Sequence, residues 1–288
     1  MGSQLLEDEE ISALCDRCAD HASIDLRRLL TTAGEDEVRL THNAQPALCF
    51  MGVGLTVLLR RRGVEPVAAA GHSVGEYAAL AAAGAVGPPQ VIKAVVERGK
   101  AMADAVPAGT STMAAVIGLE AAKIEAALAG IDDVWPANYN TPAQTVIAGT
   151  TAGLARATES LQAAGAKRVI PLNVSAAFHT PLMAPAAERL RAALDRIEWR
   201  APRIPVIANL TGRPHQGGDR IPHAMEMQLR SPVLWAACIA SLVELGCDTF
   251  IEVGPKRALT GMMRELAPGT SAVAVGTPGA VRELAPAG

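Results

Sequence analysis

Residues 67–80, VAAAGHSVGEYAAL, constrain the fold more than any other stretch of the chain. The short apolar run of small residues reads as a buried strand, and the alanine-rich run after it is made of good helix formers. Ser73 stands between them in a G-x-S-x-G pattern, on the turn from strand to helix. A strand that hands over directly to a helix belongs to a parallel sheet with helices on its faces. The serine itself has two readings. On a sharp elbow it is a nucleophile, with flanking glycines relieving crowding and helix N–H groups facing the charge that develops on a carbonyl oxygen. Alternatively it only caps the helix.

The flanking sequence extends the pattern. AQPALCFMGVGLTVLLRRRG is apolar nearly all round, which predicts a buried helix with arginines in its last turn and Gly63 closing it. GPP interrupts the chain after the elbow helix, and Pro89 suits the first turn of the next helix, QVIKAVVERGKAMADA. After Pro107 the rhythm changes to strand TMAAVIGL, helix EAAKIEAALAG, strands DVWPANYN and QTVIAGT, helix AGLARATESLQAAG and strand KRVIPLNVS. The order βαββαβ is the ferredoxin-like pattern. Residues 108–174 are therefore expected to form a small domain inserted into a larger α/β domain made of 1–107 and 175–288. The larger domain resumes with helices APAAERLRAALDRI and SPVLWAACIASLVELG, strands IPVIANL and TFIEVG, and a short last strand, SAVAVG.

Composition removes several classes of function. The formal net charge is −3, whereas nucleic-acid binding needs a concentrated basic field. No apolar run reaches the roughly 18 residues of a membrane span. The opening MGSQLLEDEE is acidic and is not a signal peptide. The five cysteines, an odd count, point to reduced thiols and a cytoplasmic location. Cys15 and Cys18 have the spacing of half a zinc site, but no second pair stands at a suitable distance, so the expectation is no metal and two thiols on an amphipathic helix.

A serine hydroxyl needs a base. The histidines are His21, His42, His72, His179, His215 and His223. His72 adjoins the serine and is expected to point elsewhere across a tight turn. His179, in NVSAAFHTPLM directly after the last insert strand, is the better candidate. Arg98 shares a helix face with Val91, Val95 and Met102, while Lys93, Glu97 and Lys100 take the solvated face. Gly99 beside it costs roughly 1 kcal/mol against alanine in a helix interior, which predicts close packing there. A guanidinium on an apolar face either snorkels to solvent or grips an anion, and a bound carboxylate suits its fork.

Seven ordered blocks carry a resemblance over nearly the whole chain: THNAQPAL, GHSVGEYAAL, VVERGKAM, NYNTPAQTVIAG, AAFHTPLM, QLRSPVLW and EVGPKRALTGMM. Together they resemble the malonyl-CoA:acyl-carrier-protein transacylase family and the related acyltransferase domains of polyketide synthases. The resemblance implies an α/β-hydrolase-like large domain with a ferredoxin-like insert. It implies Ser73 as acyl-accepting nucleophile, His179 as its base, and Arg98 as partner of the malonyl carboxylate. It makes the Gln228 backbone carbonyl the group that orients the imidazole, Val74 one oxyanion N–H, and Gln45, His72, Asn140 and Phe178 the pocket lining. The triplet Ala177-Phe178-His179 matches the malonyl form of the motif, in contrast to the ASH of methylmalonyl enzymes. The family opens with a strand leading into GQGSQ, whose first glutamine gives the second oxyanion N–H; here the chain opens MGSQLL, so that strand and donor are expected to be missing. Gln4 matches the last glutamine of the motif and does not take over the role.

The function expected from these residues is ping-pong transfer of malonyl from malonyl-CoA to the phosphopantetheine thiol of an acyl carrier protein, in fatty-acid or polyketide synthesis. No cofactor, nucleic acid or membrane is involved, and a monomer is expected. Arg60, Arg61 and Arg62, or Lys256 and Arg257, are candidate landing points for an acidic carrier protein. The alternatives are a serine hydrolase or thioesterase, and a truncated non-catalytic acyl-binding or docking protein.

Overall fold

The computed structural model describes residues 2–107 and 109–284. Met1, residues 285–288 and residue 108, where one expected domain boundary falls, lie outside the described residues. A 3₁₀ turn (Ser3–Glu7) leads into α1 (Glu9–Ala22), α2 (Leu26–Thr31), α3 (Glu35–Arg39) and α4 (Thr41–Arg61). Strand β1 (Ala69–Ala70) precedes α5 (Gly75–Ala82) and α6 (Pro88–Ala103). Next come β2 (Ser111–Ile117), α7 (Ala121–Leu128), β3 (Val134–Thr141), β4 (Gln144–Thr150), α8 (Thr151–Ala163) and β5 (Arg168–Pro171). The chain continues through α9 (Ala184–Leu194), β6 (Val206–Ile207), α10 (Ile221–Leu229), α11 (Trp235–Glu244), β7 (Thr249–Val253), α12 (Ala258–Leu266), β8 (Ser271–Val275) and α13 (Pro278–Glu283).

The result is an α/β protein. Its largest core forms around α4 and α6, where Cys49, Phe50, Met51 and Leu55 meet Val91, Val95 and Met102. Gly99 lets the two helices touch: a Cβ there would sit 2.8 Å from His42 Cα, inside any tolerable carbon–carbon contact. Gly63, with φ +77°, follows the end of α4 in the left-handed conformation that only glycine adopts freely. Cys15 and Cys18 lie on the buried face of α1, and burial pushes their thiols up to about 11 and about 12. Both stay protonated at neutral pH.

The small sheet is antiparallel, in the order β3-β4-β2-β5, with α7 and α8 packed on it around Ile124, Ile147, Leu154 and Leu161. It is sewn to the rest of the molecule at β3, where Tyr139 N–H donates to Val233 O and Val233 N–H donates to Ala137 O, each at 2.9 Å.

The parallel strands depart from expectation. They pair as two separate ladders, β1 with β6 and β7 with β8, and the runs VAAAG and IPVIANL contribute only two paired residues each. Gly71 turns the first chain into the elbow, and Pro205, which has no N–H to give a ladder, precedes the second. The expected arginine cluster is already occupied. Arg61 pairs with Asp8 and Glu10, Arg60 with Glu65 and the Ala82 carbonyl, and Arg62 with the Leu284 carbonyl. Lys256 and Arg257 are exposed.

Candidate active site

The pairing of Ala70 with Ile207 sets the site. Running on in parallel, the two chains bring Asn209 against the elbow, where its Oδ1 accepts the Ser73 N–H at 2.7 Å and its Nδ2 donates to Gly71 O at 2.8 Å. Ser73 is thereby held at φ +53°, a left-handed conformation that costs a non-glycine residue about 1–3 kcal/mol. The two glycines of the motif are not equivalent. A Cβ on Gly71 would lie 2.0 Å from the Gly75 carbonyl carbon, whereas one on Gly75 meets nothing within 4 Å. Only Gly71 is required for clearance.

Ser73 Oγ does not cap the helix. It lies 2.7 Å from His179 Nε2. His179 also has a left-handed backbone, φ +61°, in the segment between β5 and the 3₁₀ turn Pro181–Met183. Ala177 N–H bonded to Ser111 Oγ at 3.1 Å and Thr180 Oγ1 bonded to Ala177 O at 2.7 Å fix that segment. On the far side of the ring, Nδ1 sits 2.9 Å from Gln228 O. A carbonyl only accepts, so Nδ1 carries the proton and Nε2 presents a lone pair to the serine. That carbonyl is free for a physical reason. Gln228 is in the last turn of α10, and the residue four places on is Pro232, which has no N–H to close the helical bond.

Burial, then the nearby Arg98 charge, lowers His179 to about 3, so the imidazole is neutral at pH 7. Arg98 is 1% exposed. Its Nη1 donates to Gln45 Oε1 at 2.6 Å, and its Nη2 to Ser73 Oγ at 3.0 Å and Gln228 Oε1 at 3.2 Å. Tyr77 presents its ring 5.7 Å from the guanidinium carbon. Every hydrogen-bond acceptor on Arg98 is therefore neutral, and its buried Nε has no partner among the described residues. Gln45 in turn donates to Met102 Sδ at 3.1 Å, which orients its oxygen toward the arginine.

The remaining expected residues fall around this centre. Val74 forms the N-terminal end of α5 directly after the nucleophile. His72 Nε2 donates to Asn140 Oδ1 at 3.0 Å, an orientation fixed because Asn140 Nδ2 donates to Gln144 Oε1. Burial lowers His72, which also packs its ring 5.4 Å from that of Trp235. Phe178 is half-buried and joins the main core to the cluster under the small sheet. Gln4 is exposed on the first 3₁₀ turn, while Gly2 is buried against Leu30 and Met51.

Three site residues escaped the sequence reading: Asn209, Glu76 and His215. Glu76 had a signal, an acid three residues after the serine on an otherwise apolar helix. That spacing resembles a capping box, yet the Glu76 side chain turns inward to Asn209, Gln228 and His215.

Fold and site together define an α/β protein with a serine–histidine pair on a strand-to-helix elbow and a buried guanidinium beside it. The chain belongs to the acyl transferase domain family, whose model matches residues 1–278. It is 37% identical over 283 residues to the malonyl CoA-acyl carrier protein transacylase of Bacillus subtilis, covering 96% of this chain and 89% of that one. The solved acyl carrier protein S-malonyltransferase of Vibrio cholerae superposes with a TM-score of 0.93 at 36% identity, covering 98% and 95% of the two chains. A type II PKS acyl-carrier protein in complex with its malonyl-transacylase gives 0.92 at 36% identity, covering 97% and 92%.

Proposed function

We propose that the protein transfers malonyl from malonyl-CoA to the phosphopantetheine thiol of an acyl carrier protein, through a malonyl ester on Ser73. The observation that carries this reading is a buried Arg98, bonded only to neutral acceptors, whose Nη2 lies 3.0 Å from Ser73 Oγ. A buried charge calls for a counter-charge, and a substrate carboxylate two carbons from the reacting carbonyl supplies one beside the nucleophile. A neutral ester, the substrate of the hydrolase alternative, leaves the guanidinium with no anion in direct contact.

His179 Nε2 takes the Ser73 proton as Oγ attacks the thioester carbonyl. The oxyanion is received by the Val74 N–H at the start of α5, whose next three N–H groups donate to the carbonyls of His72, Ser73 and Val74. The imidazolium formed is steadied by Gln228 O and gives its proton to the departing CoA sulfur. In the second half-reaction His179 takes the proton of the carrier thiol, whose sulfur attacks the malonyl ester; the imidazolium then returns that proton to Ser73 Oγ as the ester bond breaks. Protons and electron pairs balance over the cycle without a metal or redox cofactor.

The order β3-β4-β2-β5 supports reading the small unit, residues 108–174, as a ferredoxin-like insert. The elbow and its parallel neighbour support reading the rest as α/β-hydrolase-like. We assign the protein to the cytoplasm, as a monomer serving fatty-acid or polyketide synthesis. Intact-mass analysis after incubation with malonyl-CoA tests the central claim. One malonyl adduct is expected on the wild type and none on Ser73→Ala; a wild type that releases free malonate without an adduct overturns it.

A further inference from the structure

We propose that Glu76 and His215 form a buried acid–imidazole pair that acts as a positioning unit for His179, working through the side chain of Gln228. The proposal rests on the serine–histidine reading above.

Glu76, on α5, is 1% exposed, and the His215 side chain is 2% exposed. Glu76 Oε1 lies 2.7 Å from His215 Nε2. Its Oε2 accepts the Asn209 N–H at 3.0 Å and a Gln228 Nε2 hydrogen at 2.8 Å. Two N–H donors on Oε2, with an imidazole nitrogen facing Oε1, suit a carboxylate that accepts at both oxygens. His215 is brought there by its backbone, whose N–H donates to Val206 O at 2.9 Å beside the β6 ladder.

Gln228 is the residue on which the site converges. Its backbone oxygen faces His179 Nδ1, its Oε1 accepts from Arg98, and its Nε2 donates to both Glu76 Oε2 and Ser73 O, the latter at 3.0 Å. Glu76 and Arg98 hold opposite ends of this amide. Flipping it would aim an oxygen at the carboxylate and hydrogens at the guanidinium, two repulsive contacts in a buried setting. The acid thus fixes which way the amide points, and with it the end of α10 that presents the carbonyl to the base. The carboxylate of a serine–histidine–acid triad is present here, set back by one residue. Glu76 touches neither substrate nor imidazole, so its role is to position.

The test is the rate constant for modification of Ser73 by two reagents, malonyl-CoA and a small uncharged fluorophosphonate, read per folded molecule. Glu76→Gln keeps the shape and removes the charge. It is expected to slow both reactions by about 10–100-fold, the size carried by outer partners of ligating histidines. The malonyl-CoA concentration for half-saturation should change by less than about threefold, since Arg98 is kept. His215→Leu should act in the same direction, and His215→Gln, which keeps an N–H for Glu76 Oε1, should recover most of the lost rate. A purely structural pair would lower Tm and leave the rate per folded molecule alone. Folded Glu76→Gln reacting within about twofold of wild type overturns the proposal. If that variant does not fold, His215→Leu reacting as fast as His215→Gln overturns it. A wild type that the fluorophosphonate fails to label at Ser73 overturns the serine–histidine reading instead.

Discussion

Arg98 Nη2 donates to Ser73 Oγ at 3.0 Å, so a buried positive charge rests on the nucleophile itself. The contact fits the guanidinium for two tasks. It stabilises negative charge as the serine gives up its proton, and it offers a fork for a substrate carboxylate. The first task serves any acyl group, and the second serves only malonyl.

The two tasks separate in Arg98→Met, which keeps an apolar stem and removes the charge. Truncating one member of a buried charge pair costs about 2–5 kcal/mol, and 1.4 kcal/mol is tenfold. The specificity constant kcat/KM for malonyl-CoA should therefore fall by about 30-fold or more, and that for acetyl-CoA by much less. Steady-state kinetics with both thioesters checks this; a malonyl preference equal to wild type contradicts the assignment. Free malonate should likewise raise the Tm of the wild type and leave that of Arg98→Met unchanged, because only a ligand bound to the folded state stabilises it.

The elbow makes a contrast between two glycines that the motif alone treats alike. Gly71→Ala forces a Cβ to within 2.0 Å of the Gly75 carbonyl carbon, so the turn must open or the chain fail to fold. Gly75→Ala meets nothing within 4 Å and replaces a poor helix former at the start of α5. Gly71→Ala should lose several degrees of Tm and nearly all Ser73 labelling. Gly75→Ala should match or exceed wild-type Tm. Thermal melts with active-site labelling of both variants decide it.

Much of this was legible in local sequence because its causes are local. The elbow is a strand, a turn and a helix within fourteen residues, and Arg98 breaks a helical face pattern set by its immediate neighbours. Gly99 announced a close approach through its own helix cost, and His42 proved to be the group that approaches. The free carbonyl at Gln228 was also readable, since Pro232 stands four residues on, although the residue was first placed by resemblance. What stayed hidden depends on pairing between distant segments. Asn209 and His215 lie 136 and 139 residues from the elbow groups they bond, and only the β1–β6 register brings them there. Strand length was overestimated for the same reason. An apolar run shows that a segment is buried, while the number of paired residues is set by its partner.

His179 is lowered from 6.5 to about 3, first by burial and then by the Arg98 charge. Its folded value lies below its unfolded one, so the unfolded chain binds more protons between those limits. The stability it contributes is complete above about pH 6.5 and is lost as pH falls toward 3. In the free protein the base form persists through the upper part of that window and is lost only as pH approaches 3. Fluorophosphonate labelling of Ser73 should therefore stay flat from pH 7 down to about pH 5, where an unperturbed histidine would already have lost most of its base form. Removing the second cause should move the acid limb upward, so Arg98→Met should begin to lose labelling at a higher pH than wild type. Labelling rates across this range, on protein shown by circular dichroism to be folded at each pH, provide the check. An acid limb at the same pH in both proteins means that the Arg98 charge does not hold His179 down.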